Sequence, residues 1–334
     1  MSMRVLAGDI GGTHARLCLA EKKSGKIHII HEQVYASQQY PDLLPIVQDF
    51  LQHHQDIHPA AACFAVAGPI RHQQARVTNL PWRLDARQLE KSLSIDRLTL
   101  LNDFQAAGYG LATLAGDQLF TLQTGRPEEE GQRALIGAGT GLGIGSLIYQ
   151  DHRYVSYPSE GGHVGFAPAD KVQSSLLAYL QSSLDYVCYE HLLSGAGLVR
   201  IYQFFLEEHG TASAFSESIM QAQDPAAEIS HHAQLGDGEL ARQTLDCFVR
   251  IYGAQAGNVA LNYLATGGVY LAGGIAPKII EQLKSDHFLA AFHNKGAMSD
   301  LMQSFPVKVI MEEKVGLRGA AAFAFYSFNE LRQD

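Results

Sequence analysis

Apolar runs of strand length alternate along this chain with polar turns and with longer stretches of helical spacing. The segment "RVLAGDIGGTHARLCLA" (residues 4–20) holds two apolar runs separated by a glycine-rich turn, which predicts a β-hairpin. The segment "ALIGAGTGLGIGSLIY" (residues 134–149) repeats this design. Because a similar hairpin opens each half of the chain, the pattern indicates a duplicated architecture.

The segments between and after these hairpins continue the alternation. Short apolar runs bounded by turn-forming residues predict strands, and amphipathic stretches predict helices. This order of elements is typical of the α/β class. The predicted strands include "AACFAVAGPI", "RLTLLNDF", "GGVYLAGGI" and "VKVIM", and the predicted helices include "DARQLEKSLS", residues 238–263 and "LRGAAAFAFYSFNEL".

The strongest helical pattern covers residues 171–193, where the apolar positions follow helical spacing until Gly195 and Gly197. On such a helix Glu190 lies five turns from Val172 and shares its direction, at the margin of the apolar stripe. Two interpretations of Glu190 stay open. Its carboxylate either reaches from the core edge into water or lines a pocket.

Composition limits the possible functions. A length of 334 residues predicts two domains, and 46% hydrophobic with 18% charged residues is typical of a soluble globular protein. The formal net charge of -9 and the absence of basic clusters argue against nucleic-acid and membrane-surface partners. The scattered cysteines, and apolar runs too short for a signal peptide or a membrane span, predict a cytoplasmic protein.

Several familiar signatures are absent from the sequence, namely the P-loop, the dinucleotide fingerprint and the serine-hydrolase elbow. His53, His54 and His58 lie close together, but no carboxylate or cysteine stands at ligand spacing. We interpret them as solvated surface histidines.

The glycine hairpins allow two interpretations, a tight turn or a phosphate cradle. Backbone N–H groups without Cβ atoms nearby can converge on phosphate oxygens. Asp9 beside them is suited to holding Mg²⁺ through water, since Mg²⁺ takes few carboxylates. The second hairpin has five glycines around Thr140, more than a turn requires, and this favours the cradle.

Two polar segments could bind a further ligand. Asn102 and Asp103 follow a predicted strand, where α/β sheets hold ligands, although both residue types also cap helices well. The loop "PSEGGHVGFAP" presents Glu160 and His163 between two prolines. These side chains could bind adjacent hydroxyls of a polyol, or they could belong to an exposed turn.

Taken in order, the motifs "GDIGGTHARL", "AVAGPI", "LNDF", "GAGTGLG", "SEGGH", "YEHLLSG" and "LAGGI" resemble those of the ATP-dependent bacterial glucokinase family. The resemblance extends over nearly the whole chain. It implies an α/β fold of two ribonuclease-H-like, actin-like domains with a cleft between them. The smaller domain would comprise residues 1–112 and 312–334, and the larger one residues 113–311.

The resemblance also implies an activity, the conversion of glucose and ATP into glucose 6-phosphate and ADP by a magnesium-dependent homodimer. Asp103 would be the general base, and Asp9 would hold Mg²⁺ through water. A kinase for another hexose and a sugar-responsive regulator without turnover are the alternatives. Glucose would be bound by Asn102, Asp103, Glu160, His163 and Glu190; the ATP phosphates by Gly8, Asp9, Ile10, Gly11, Gly12, Thr13, Gly139, Thr140 and Gly141; and the adenosine by Gly273 and Gly274.

Two positions depart from the family pattern. His14 stands where asparagine is usual, which affects any contact of that side chain but not the backbone cradle. Gly165 stands where a carboxylate is common, which is expected to loosen the support of His163. The zinc-binding cysteine cluster of the other bacterial sugar-kinase family, which includes repressors, is absent.

Overall fold

A computed structural model describes residues 3–210 and 213–330 of the chain. The described residues form two compact units. The first contains the chain up to Gln118, Tyr154–Pro158 and the chain from Glu312 onward; the second contains Leu119–Arg153 and Ser159–Met311. No pattern in the sequence predicted that the short segment Tyr154–Pro158 belongs to the first unit. Residues 1, 2 and 331–334 of the predicted smaller domain lie outside the described residues.

The strands follow the predicted alternation. Both glycine hairpins form where the sequence predicts them. The strands are β1 (Arg4–Ile10), β2 (His14–Lys23), β3 (Lys26–Ala36), β4 (Ala61–Val66), β5 (Ile70–Arg71), β6 (Gln74–Arg76), β7 (Arg83–Asp85), β8 (Leu98–Asn102), β9 (Leu119–Gln123), β10 (Arg133–Ala138), β11 (Leu142–Gln150), β12 (Arg153–Ser159), β13 (Gly268–Ala272) and β14 (Val307–Ile310).

Three predicted helices form, those at "DARQLEKSLS", at residues 238–263 and at "LRGAAAFAFYSFNEL". Several others, including Gly195–His209 and Asp286–His293, were not predicted. The last helix ends at Glu330, so Leu331 of the predicted helix lies outside the described residues. The helices are α1 (Leu43–Gln52), α2 (Ala86–Leu93), α3 (Asp103–Gly110), α4 (Lys171–Gln181), α5 (Gly195–His209), α6 (Ala214–Met220), α7 (Pro225–Leu235), α8 (Glu239–Tyr263), α9 (Ile275–Lys278), α10 (Ile280–Leu283), α11 (Asp286–His293), α12 (Ser299–Met302) and α13 (Val315–Glu330).

The first unit is built on a sheet with the strand order β3-β2-β1-β4-β8. β1 is antiparallel to β2 and parallel to β4, and β4 is parallel to β8. Alternate residues of β1 enter different cores: Leu6 packs with residues of α1 and α2, and Ala7 with residues of α13. Because helices cover both faces, β1 and β4 carry buried apolar residues on both of their faces.

Five strands of the second unit have the order β11-β10-β13-β14-β9. β10 is antiparallel to β11 and parallel to β13, which is parallel to β14. The directions of β11, β10, β13 and β14 are therefore the same as those of β2, β1, β4 and β8 in the first unit. In each sheet the loops after the parallel strands lie at one edge, where α/β proteins commonly hold ligands.

One predicted helix is wrong over its second half. α4 ends at Gln181, and the hydroxyls of Ser182 and Ser183 donate to the carbonyl oxygens of Tyr179 and Leu180. Serine side chains that bond to the backbone in this way compete with further helix. Glu190 lies instead in a short 3₁₀ turn, Tyr189–His191. Glu190 therefore does not share the direction of Val172, and that prediction is wrong.

Within the described ranges, no helix combines the length and the apolar character that crossing a membrane requires.

Candidate active site

The first glycine turn, between β1 and β2, is held by hydrogen bonds from both sides. The Gly11 amide donates to the His14 carbonyl oxygen at 2.9 Å. The Ser37 hydroxyl donates to the Gly11 carbonyl oxygen, and the Ser37 amide donates to the Thr13 carbonyl oxygen, each at 2.9 Å. Thr13 and His14 are exposed. The backbone cradle is thus ordered without the His14 side chain, and nothing in the structure explains why histidine stands there.

The glycines of this turn are required by close approach. Neither Gly11 nor Gly12 has a positive φ. A Cβ at Gly12 would lie 2.8 Å from the Thr78 carbonyl oxygen, and a Cβ at Gly8 would lie 2.8 Å from the Phe64 ring. Glycine is therefore needed here for space and not for a left-handed backbone conformation.

Asp9 lies at the end of β1, next to Asp103. Burial, together with the negative charge of Asp103, raises the pKa of Asp9 from 3.8 to about 6, while Arg16 opposes the shift. Gly316, at the start of α13, packs against the pair, since a Cβ there would lie 3.5 Å from Asp9 Oδ2 and 3.9 Å from the Asp103 carbonyl oxygen. The two neighbouring carboxylates make this a favourable place for a cation.

Asn102 caps α3. Its Oδ1 accepts from the amides of Phe104 (3.0 Å) and Gln105 (3.3 Å). Its Nδ2 donates to the Gly68 carbonyl oxygen at 3.2 Å. The capping interpretation of Asn102 is therefore correct, and only Nδ2, which carries a second hydrogen, has donor capacity for a ligand.

Asp103 is the exposed first residue of α3. Its Oδ1 accepts from the Phe104 amide at 2.8 Å. Gln105 Nε2 donates to the Ser156 carbonyl oxygen at 2.9 Å, which ties the first turn of α3 to the segment Tyr154–Pro158.

Gly68 is a residue of this region that the sequence analysis did not single out. Its φ is +149°, and a Cβ there would lie 2.6 Å from the Arg76 carbonyl oxygen. Only glycine fits this position. The motif "AVAGPI" contains it, and its carbonyl oxygen is the one that holds the Asn102 amide.

The second glycine turn, between β10 and β11, has open backbone. The Gly139 amide donates to the Gly141 carbonyl oxygen at 2.8 Å, and the Gly139 carbonyl oxygen accepts from the Gly195 amide at 2.9 Å. Gly195 begins α5, which Ser194 caps. A Cβ at Gly139 would meet no atom within 4 Å, and Thr140 is exposed. The turn therefore presents backbone groups to its surroundings.

A second open glycine segment lies at the same edge of the sheet. Gly273 has a φ of +79°, and a Cβ there would lie 2.4 Å from the Ala138 carbonyl oxygen, whereas at Gly274 it would meet nothing within 4 Å. Both glycines are exposed. Because Gly137 pairs with Ala272, the turn after β10 and the turn after β13 are neighbours.

Glu190 connects the glycine turn with the loop that carries His163. Its Oε2 accepts from the Leu142 amide at 2.8 Å, and a Cβ at Gly141 would lie 2.5 Å from the same oxygen. Its Oε1 lies 3.9 Å from His163 Nδ1. One carboxylate thus adjoins a residue predicted for phosphate, Gly141, and a residue predicted for sugar, His163.

The loop of Glu160 and His163 forms a 3₁₀ turn, Gly161–His163, in which the His163 amide donates to the Glu160 carbonyl oxygen at 3.0 Å. The His163 side chain is 58% exposed, which leaves the imidazole accessible. Glu160 is exposed, and its side chain does not cap the turn. The buried Cys188 places Sγ 4.0 Å from His163 Nδ1. The position of Cys188 beside His163 was not predicted from the sequence, where its spacing indicated only a reducing compartment.

The chain matches the sequence profile of the family described as Glucokinase over residues 6–326. It is 44% identical to the glucokinase of Trichormus variabilis over 336 aligned positions, which cover 96% of this chain and 98% of the relative. A match of this extent includes every motif discussed above.

Solved structures give the same result for the fold. The crystal structure of a glucokinase from an Antarctic psychrotroph has a TM-score of 0.86 at 30% identity, and the match covers 98% of this chain and 100% of the other. A glucokinase from Balamuthia mandrillaris, in complex with glucose, has a TM-score of 0.82 at 22% identity, over 97% and 94% of the two chains. The predicted fold class is confirmed, and the chain belongs to the bacterial glucokinase family.

Proposed function

We propose that this chain is an ATP-dependent glucokinase that transfers the γ-phosphoryl group to the 6-hydroxyl of glucose, with Asp103 as the general base. One observation carries the proposal: in each unit a residue predicted for phosphate or metal adjoins one predicted for sugar. Asp9 interacts with Asp103, and Glu190 bonds to Leu142 beside Gly141. Phosphoryl transfer requires phosphate-binding and sugar-binding groups to be adjacent, because the phosphate and the accepting hydroxyl react in contact.

The glycine segments fit the phosphates and the nucleoside of ATP. Gly139 and Gly274 have no atom within 4 Å of a Cβ position, so a ligand can approach the backbone there. Amides at such positions bind phosphate oxygens. The proposed ATP contacts are Gly8, Asp9, Ile10, Gly11, Gly12, Thr13, Gly139, Thr140 and Gly141 for the phosphates, with Gly273 and Gly274 for the adenosine.

Asp9 fits a Mg²⁺ ion held through water. Its charge is disfavoured by burial and by Asp103, and a cation would compensate both carboxylates. Among the described residues, no group of three or more His, Cys, Asp or Glu side chains could hold a metal, so such an ion would keep most of its waters. When bound, Mg²⁺ supplies charge neutralisation at the transferred phosphoryl group.

The proposed sugar site combines carboxylate acceptors with an imidazole and an amide. Glu160, Asp103 and Glu190 can accept from hydroxyls, while His163 and Asn102 Nδ2 can donate. A site that depends on such bonds rejects analogues lacking a hydroxyl, because its own polar groups are then left unpaired.

Asp103 has the position of a base. The Phe104 amide holds one of its oxygens, which orients the carboxylate at the start of α3. Accepting the proton of the 6-hydroxyl would make that oxygen a better nucleophile toward the γ-phosphoryl group.

A panel of hexoses with ATP and Mg²⁺, assayed for ADP and for phosphorylated sugar, tests the proposal. We expect glucose to give equal amounts of both products, and Asp103→Asn to lower kcat about 10²- to 10⁴-fold with little change in glucose affinity. ADP release that ignores the sugar would contradict kinase activity. A better hexose than glucose would support the alternative substrate, and normal turnover by Asp103→Asn would remove Asp103 as the base.

The proposal also includes a cytoplasmic homodimer, which rests on family resemblance and on the scattered cysteines. Sedimentation velocity at micromolar concentration measures the association state directly.

A further inference from the structure

His163 lies beside a short antiparallel ladder between residues 164–166 and residues 187–189. The Phe166 amide donates to the Val187 carbonyl oxygen at 2.9 Å, and the Tyr189 amide donates to the Val164 carbonyl oxygen at 3.1 Å. Between them Gly165 forms a bridge with Cys188. In this register position 163 falls opposite position 190, so the ladder brings His163 and Glu190 together.

Tyr186 precedes this ladder and reaches back to the histidine. Its hydroxyl donates to the His163 carbonyl oxygen at 3.0 Å. The residue is 57% exposed, so burial of the ring contributes little to holding it in this place. The hydrogen bond is therefore the main contact by which Tyr186 can act on the loop.

Gly165 provides the space that Tyr186 uses. A Cβ at Gly165 would lie 3.4 Å from the Tyr186 hydroxyl oxygen and 3.8 Å and 3.9 Å from its ring atoms Cε2 and Cζ. A methyl group could be accommodated, but a longer side chain would compete with the phenol for the same volume. The glycine expected to weaken the support of His163 thus admits a different support.

We propose that Tyr186 is a positioning residue for glucose, acting through His163. The inference rests on the proposed function, in which His163 contacts the sugar. Tyr186 holds the His163 backbone, while Cys188 Sγ and Glu190 Oε1 lie 4.0 Å and 3.9 Å from its Nδ1. Three alternate residues of one segment thereby lie against His163, and Tyr186 makes the shortest of these contacts.

Tyr186→Phe removes the hydroxyl and keeps the ring. We expect the KM for glucose, and its Kd by titration calorimetry, to rise about three- to ten-fold, as for loss of one hydrogen bond. The kcat should stay within about two-fold, because the bond orients a group that binds ground state and transition state alike. The KM for ATP should not change. An unchanged glucose Kd, or a loss confined to kcat, would overturn the inference.

Tyr179→Phe is the matched control. The Tyr179 hydroxyl donates to Glu207 Oε1 at 3.0 Å, in the same unit and away from the histidine. Its removal should leave the glucose Kd unchanged. An equal effect of both variants would show a general loss of stability rather than positioning.

A double-mutant cycle with His163→Gln separates the inference from the proposed function. With His163 replaced, Tyr186→Phe should change the glucose Kd by less than about 1.5-fold, since the group it positions is gone. Additive effects would overturn the positioning role alone. If His163→Gln by itself leaves the Kd unchanged, the proposed sugar contact fails and the inference fails with it.

Discussion

The Asp9 carboxylate is held where the folded protein disfavours its charge. It adjoins Asp103, and burial raises its pKa to about 6. Because the folded-state pKa lies above the unfolded value, ionised Asp9 destabilises the fold above pH of about 6, and protonation removes this effect as the pH falls toward 4. A side chain whose ionised form destabilises the folded protein is typical of a functional site, where activity is maintained at a cost in stability.

Asp9→Asn should therefore stabilise the metal-free protein while impairing catalysis. We expect the free energy of unfolding at pH 7.5 to rise by about 1–3 kcal/mol, with the gain shrinking toward pH 4.5. Urea unfolding of both proteins at pH 7.5 and pH 4.5 measures the gain in the free energy of unfolding and its dependence on pH. Asp96→Asn, at an exposed aspartate of the same unit, is the control and should change little. A destabilised Asp9→Asn protein, or a gain independent of pH, would contradict this account.

Sequence reasoning at the residue scale succeeded where the chemistry is local. The cap made by Asn102 involves residues two and three positions away, and such a pattern is visible in the sequence. Tyr186 and Cys188 lie more than twenty residues from His163, and only the short ladder brings them to it. No local pattern contains that pairing, so both residues were missed.

At the scale of elements, α13 crosses α3 with almost no space between the backbones. A Cβ at Gly319 would lie 1.7 Å from the Ala106 carbonyl oxygen, and a Cβ at Gly110 would lie 2.1 Å from that of Val315. Both glycines have helical backbone, so the contact rather than the conformation requires them. The position of α3, which begins at Asp103, depends on this approach.

Gly319→Ala should destabilise the protein although alanine is the better helix former. The clash is with a backbone carbonyl, and we expect a loss of about 2–4 kcal/mol in the free energy of unfolding, more than the roughly 1 kcal/mol that helix propensity returns. Because α3 must shift, kcat should fall as well. Urea unfolding and steady-state kinetics measure the two effects. Gly116→Ala, where a Cβ meets nothing within 4 Å, should change neither, and an equally stable Gly319→Ala protein would refute the argument.

The mistaken half of the helix predicted at 171–193 has a definite cause. Val187 and Cys188 fit the helical spacing and are buried, as the pattern requires. Their burial comes from the region of the ladder with residues 164–166 rather than from a helix face. Hydrophobic periodicity shows which residues are buried, but it does not show which element they pack against. Ser182 was the residue in the sequence that could have indicated the end of the helix.

At the scale of the whole molecule, the two sheets share strand order and direction over their hairpins and following parallel strands. The paired glycine hairpins indicated this duplication from the sequence. The order itself depends on parallel pairs such as β1 with β4 and β10 with β13, whose members are far apart in the chain. That part of the topology follows from tertiary packing and could be expected only through the family resemblance.

Each unit has its own hydrophobic cores, and each contains two of the four cysteines. Cys18 and Cys63 lie in cores of the first unit, while Cys188 and Cys247 are buried in the second. Burial raises the pKa of the Cys18 and Cys247 thiols to about 12 and raises that of Cys63 further. Since the thiolate is the reactive form, these thiols should react only after their unit opens.

Pulse labelling with a maleimide across a urea series, read by peptide mass spectrometry, should therefore report the two units separately. We expect Cys18 and Cys63 to share one midpoint and Cys188 and Cys247 another, because no hydrophobic cluster combines residues of both units among those described. Different midpoints within one pair would contradict a common core, and one midpoint for all four would show that the units unfold together. Labelling of the native protein within minutes would contradict the burial itself.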